Sequence, residues 1–193
     1  MDGVQHDFLT RSDMKYAITF ISFIFLFLSC TDSRKGEYNF ELGQDQISVV
    51  LDRKSDSLSI LELYVNDSLR STWPLRYPVY QFHIGDVTGD GIPEIAIGPV
   101  KTTRFDPKPD KRLFLFRITD DRYIRPLWLG SRVGQPLEDF RLVGNHCLIR
   151  TIEREKDNSY LVAEYIWKGF GLEFKQYLER SIPYKEAEKF LNK

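Results

Sequence analysis

Three times along this chain, short apolar stretches alternate with polar ones in the same order. Each set opens on a phenylalanine: Phe40-Glu41-Leu42-Gly43, Phe82-His83-Ile84-Gly85 and Phe140-Arg141-Leu142-Val143-Gly144. A second apolar stretch follows at 47–51, 95–97 and 147–152, and a third at 60–65, 113–118 and 161–167. Short polar turns (Asn66-Asp67, Asp120-Asp121, Lys168-Gly169) lead into a fourth stretch carrying aromatics: Trp73, Trp128, and the pair Phe174 and Tyr177. Stretches of this length, closed by tight turns, predict hairpin-linked strands. The pattern therefore predicts an all-β domain over 39–180, built from three four-stranded antiparallel repeats. Four strands per unit make a propeller blade. Three such units are consistent with a small three-bladed ring or wedge, with a pair of chains, or with a β-trefoil. Residues 181–193 differ: Pro183 is followed by helix formers, with Tyr184, Ala187 and Phe190/Leu191 on one face. This predicts a short C-terminal helix covering a sheet edge or the end of the repeats.

The second repeat contains Asp86-Val87-Thr88-Gly89-Asp90-Gly91-Ile92-Pro93-Glu94. Counting Asp86 as position 1, oxygen-bearing side chains fall at 1, 3, 5 and 9, with the Ile92 carbonyl at 7 and a glycine at 6. Alternate inward oxygens and a glycine-permitted turn suit calcium, a hard cation that takes six to eight oxygens. An EF-hand is excluded: position 12 is Ile97, not a bidentate glutamate, and the flanks alternate as strands do. The run FHIGDVTGDGIPEIAIG resembles the FG-GAP or VCBS repeat of integrin-type propellers. That resemblance implies a calcium loop between two strands of a blade, with Asp86, Thr88, Asp90, Ile92 (main chain) and Glu94 as ligands. Thr88 stands where Asn or Asp is usual and Glu94 where Asp is usual. Affinity is therefore expected to be weak, near the 10⁻⁴–10⁻³ M typical of extracellular modules.

The amino terminus adds an address. Residues 16–28 form an uncharged apolar run, too short to span a bilayer as a helix but suited to a signal-peptide core. The run ends in Leu28-Ser29-Cys30, which resembles a bacterial lipobox, with Cys30 lipidated and becoming the first mature residue. Residues 1–13 are acidic where an export signal is basic, whereas Met14-Lys15-Tyr16 makes a normal start, so Met14 is the expected initiator. Residues 30–38 read as a polar tether. These features predict a lipid-anchored protein of the bacterial envelope, at the outer membrane. Removing residues 1–29 takes two of the 27 basic and three of the 28 acidic residues, leaving 25 of each. That balance argues against nucleic acid as a partner.

Candidate chemistry is sparse. No phosphate loop, serine elbow or His-Glu-x-x-His is present. Cys147 lies in an apolar run and reads as a small core residue. The insert at 100–111, with Arg104, Phe105 and Lys108, is basic, proline-stiffened and the best candidate binding loop. Trp73 and Trp128 occupy matching repeat positions, which points to packing between blades ahead of sugar stacking. The expected function is a non-enzymatic binding or assembly module for an unknown protein or glycan, with calcium stiffening one blade. The alternative is an envelope glycan- or ester-active hydrolase using Asp86, Asp90 and Glu94.

Overall fold

The computed structural model describes residues 35–104, 106–130, 132–144 and 147–191. Residues 1–29, read above as an export signal, and Cys30, Phe105 and His146 lie outside them. Among the described residues, thirteen strands and one helix follow in order: β1 (Lys35–Leu42), β2 (Asp45–Ser55), β3 (Leu58–Val65), β4 (Ser68–Leu75), β5 (Val79–Gly85), β6 (Glu94–Thr103), β7 (Asp106–Lys111), β8 (Phe114–Ile118), β9 (Ile124–Trp128), β10 (Leu137–Val143), β11 (Leu148–Arg154), β12 (Tyr160–Lys168), β13 (Gly171–Ile182) and α1 (Tyr184–Leu191).

They form three antiparallel sheets: β1-β2-β3-β4; β5-β6-β8-β9, with β7 paired to the far half of β6; and β10-β11-β12-β13. The fold is all-β and blade-like, and no closed barrel forms among the described residues, so the trefoil alternative is set aside. Asn66 and Asp67, both at positive φ, make the two-residue β3–β4 turn.

The sheets stack face to face, and the side-chain pattern of each strand follows from its place in the stack. Leu61, Leu63 and Val49 of the first sheet meet Phe82, Ile95, Ile97, Phe114 and Phe116 of the second. The opposite face of the second sheet presents Ala96, Leu113 and Leu115 to Phe140, Ile149, Leu161 and Ala163 of the third. The middle sheet is therefore dry on both faces, which is why β6 and β8 read as continuous apolar runs instead of alternating. The outer face of the third sheet is closed by α1, whose Ala187 and Leu191 pack with Ile152, Val162 and Ile182. Arg150 fastens this cap, pairing with Glu164 and donating to the Phe190 carbonyl. The helix thus covers a sheet face.

Two readings from sequence change here. Lys35–Tyr38, assigned above to the tether, belongs to β1. Polar character hid its role: the Tyr38 ring meets Phe82 edge-on at 5.1 Å, and its hydroxyl donates to the Phe82 carbonyl. Gly36 leaves room for the Phe82 ring, since a Cβ there would lie 2.8 Å from it. The insert at 100–111 is no free loop either. It continues β6 and returns as β7, pairing Val100 with Lys111 and Lys101 with Asp110.

Edge strands are blunted. Pro74 in β4 and Pro126 in β9 remove donors. β13 has no proline but breaks register with β12 at three points.

Candidate functional site

The loop from Asp86 to Glu94 joins β5 to β6 and packs through Val87, which is 2 % exposed, into the core between the second and third sheets. Its carboxylates fold it. Asp86 accepts from the main-chain N–H of Gly89 (2.6 Å) and of Gly91 (2.9 Å), one on each oxygen. Asp90 accepts from Ile92 N–H at 2.8 Å. Glu94, also 2 % exposed, turns back to accept from Val87 N–H (2.8 Å), Thr88 N–H (3.1 Å) and the Thr88 hydroxyl (3.2 Å). Gly89 and Gly91 both adopt positive φ (80° and 84°), a conformation that costs glycine nothing.

Burial pushes the Glu94 pKa above the ordinary carboxylate value, while the N–H bonds from Val87 and Thr88 work against that shift. Asp86, Thr88, Asp90 and Glu94 thus share one loop, in which the three carboxylates accept from the loop's own N–H groups and from the Thr88 hydroxyl. Among the described residues, no group of three or more His, Cys, Asp or Glu side chains is gathered so that it could hold a metal ion.

Cys147 is not a strand residue of the core. It sits half-buried in the turn before β11 at φ 51°, with its sulfur 3.4 Å from where a Cβ on Gly89 would lie. Desolvation, then Asp86 and Glu94, push its pKa up, which makes a poor nucleophile. Arg104 and Lys108 are exposed along the β6–β7 hairpin. The base of that hairpin is stapled to the third sheet: Arg154 takes both oxygens of Asp110 at 2.6 and 2.7 Å, and Lys111 pairs with Glu138. Trp73 packs against Phe116 at 5.7 Å in the first interface, and Trp128 borders the second.

A second buried acid was not legible in the sequence. Glu153, 1 % exposed, accepts from Thr151 and Tyr165 hydroxyls and from Gln135 N–H, while Gly134 N–H donates to the Tyr165 oxygen. The group pins the β9–β10 connection to the third sheet. Nothing in the spacing of 134, 153 and 165 marks it.

Burial raises the Glu153 pKa. A raised folded-state pKa contributes stability that is full below the unfolded value, about 4.3, and lost as pH climbs through the folded one. The stability of the wild type relative to Glu153→Gln is therefore expected to be greatest on the acid side and to decline as pH rises from about 4. Urea titrations at a series of pH values check this, and a flat difference would contradict it.

No protein-family model matches the chain, and a search of curated proteins finds no match.

Proposed function

We propose that the chain is a lipid-anchored binding or assembly module of a bacterial envelope, at the outer membrane, with an FG-GAP/VCBS-type repeat as its middle blade. One observation carries the non-enzymatic part. The buried carboxylates of Glu94 and Glu153 are directed at main-chain N–H groups of the loops beside them, so these acids shape loops. The anchor rests on the apolar run ahead of Cys30. Calcium suits the loop's donor types, since Asp86, Asp90 and Glu94 offer only carboxylate oxygen and a cation would relieve the cost of Glu94's burial, but binding it would draw these carboxylates together from the main-chain donors they now accept from. Those three would hold it, with Thr88 and Ile92 adding neutral oxygens, and the ion would supply stiffness. The rival hydrolase has one observation in its favour, the raised pKa of Glu94, since perturbed acids gather at active sites.

Calorimetry separates the two. With a dissociation constant near 1 mM, 10 mM calcium is worth about 1.4 kcal/mol, or about 3–6 °C in Tm for a domain of this size. That rise is expected in the wild type and lost in Asp86→Ala and Asp90→Ala. Reproducible turnover of a glycan or ester, abolished by Asp90→Ala, would replace the module with the hydrolase.

A further inference from the structure

Chain direction gives the domain two distinct ends. At one lie the start of β1, the β2–β3 turn, the β4–β5 connection and the tip of the β6–β7 hairpin. At the other lie the β3–β4 turn, the 86–93 loop and the β8–β9 turn. The chain therefore enters the domain at the end opposite the 86–94 loop.

The hairpin extends the second sheet at the entry end. β5 follows β6 as far as Pro99 and β8 follows it as far as Ile97; beyond Pro99, among the described residues, β6 pairs with β7 alone. The base of the hairpin is fixed, since Arg154 holds Asp110 and Lys111 holds Glu138. The Lys101 ammonium also lies 4.9 Å from the centre of the Tyr77 ring in the β4–β5 connection.

Strand geometry sets two reaches from one level. Gly36 lies against the Phe82 ring, and Phe82 pairs with Ile97, so these three share a level of the stack. From Ile97 to Thr103 the strand runs about 20 Å further out. From Gly36 back to Cys30 is six residues, which span about 21 Å at full stretch. Placing Lys35–Tyr38 in β1 is what shortens this reach. A lipid on Cys30 thus holds a bilayer surface no farther out than the hairpin tip.

Charge separates the same two ends, although the mature total balances. The turns and loops at the far end carry Asp67, Asp86, Asp90, Asp120 and Asp121 against Arg122. In the hairpin and the connections at the entry end, Arg76, Arg104, Lys108 and Lys156 are exposed, with Asp56 and Asp157 among them. Arg132 is exposed there too but paired with Asp106, and Arg112 is buried, donating to Asp106 and to the Lys101 carbonyl. Anionic headgroups attract surface Lys and Arg within about a Debye length and repel the aspartates of the far end.

We infer that the β6–β7 hairpin rests on the anionic phospholipid surface that holds Cys30, with the 86–94 loop turned away from it. The inference rests on the lipid-anchor reading and adds an orientation to it. It does not depend on calcium.

The test uses the full chain, exported and acylated in a bacterium, then reconstituted into vesicles of phosphatidylethanolamine and phosphatidylglycerol carrying a headgroup nitroxide. In a Cys147→Ser background, a fluorophore is attached at Thr102→Cys in the hairpin, Asp121→Cys at the far end, or Thr72→Cys on β4. Quenching is expected to be about threefold or more stronger at 102 than at 121 or 72. Arg104→Gln with Lys108→Gln, or vesicles without phosphatidylglycerol, should lower the quenching at 102 about twofold with Tm unchanged. Equal quenching at 102 and 121, strongest quenching at 72, or a signal at 102 indifferent to both charge changes overturns the inference. Mass spectrometry of the mature protein keeps the two readings apart. No acyl chain on Cys30 removes the anchor and the orientation together, whereas an acylated protein that fails the quenching test loses the orientation alone.

Discussion

Phe116→Ala is expected to cost about 3–5 kcal/mol, the usual loss for emptying a buried aromatic site. Phe116 is fully buried in β8, in the core between the first and second sheets, with Trp73 across the interface at 5.7 Å. Neither sheet can close the gap easily, because the second sheet is held from behind by Leu113 and Leu115 against the third. Interiors packed to crystal density relax little, so the cavity cost adds to the lost transfer free energy. A domain of this kind has about 5–15 kcal/mol in all, so one substitution takes a large share. Arg117→Ala, one residue along and exposed, is the control and should stay within about 0.5 kcal/mol. Urea midpoints at constant slope measure both. A loss below about 1 kcal/mol in Phe116→Ala would mean that the blades do not share this core.

The same stacking explains what could be read from the sequence. The three strand quartets were visible because each repeat shows four strand-length apolar stretches punctuated by tight turns, and the turns at Asn66-Asp67 and Gly169 were marked by residues that tolerate positive φ. The middle repeat's unbroken Ile95-Ala96-Ile97 marks a strand, and the structure shows it covered on both sides. What stayed hidden was polar. β7 reads as loop because Asp106-Pro107-Lys108-Pro109-Asp110-Lys111 has no apolar face and two prolines. Their spacing of two directs both missing donors to the same edge, so the ladder to β6 survives. β1 reads short for a similar reason, since Gly36 and Tyr38 act through a close approach to Phe82 that no periodicity records. In the loop the sequence marked the residues and the turn but not their partners. Glycine and carboxylate spacing places Asp86, Asp90 and Glu94 in one loop, but it does not say that Glu94 is buried and turned onto Val87 and Thr88. Arg112 and Arg132 are twenty positions apart, and only the hairpin's docking brings them to one aspartate.

Glu94 is where folding and the proposed ion meet, and two substitutions pull them apart. Glu94→Ala is expected to lose about 1–3 kcal/mol for stranding the buried Val87 amide alone, with a further loss from Thr88. At about 2–4 °C per kcal/mol for a domain of this length, that is a clear drop in Tm. Glu94→Gln behaves differently. Val87 and Thr88 both donate to the same oxygen, Oε2, which an amide carbonyl replaces, and the Thr88 hydroxyl can rotate to accept from the new amide. The loop therefore survives, and the cost of burying a charge disappears. The sign with pH follows from the raised pKa of Glu94: its contribution is full below about 4.3 and falls as pH rises through the folded value. Glu94→Gln should accordingly match the wild type in acid and equal or exceed it at neutral pH, where it should also lose the calcium-induced rise in Tm. Thermal melts at several pH values, with and without calcium, read all three effects. A Glu94→Gln protein as unstable as Glu94→Ala would show that the charge itself holds the loop. One that still gained several degrees from calcium would place the ion away from Glu94.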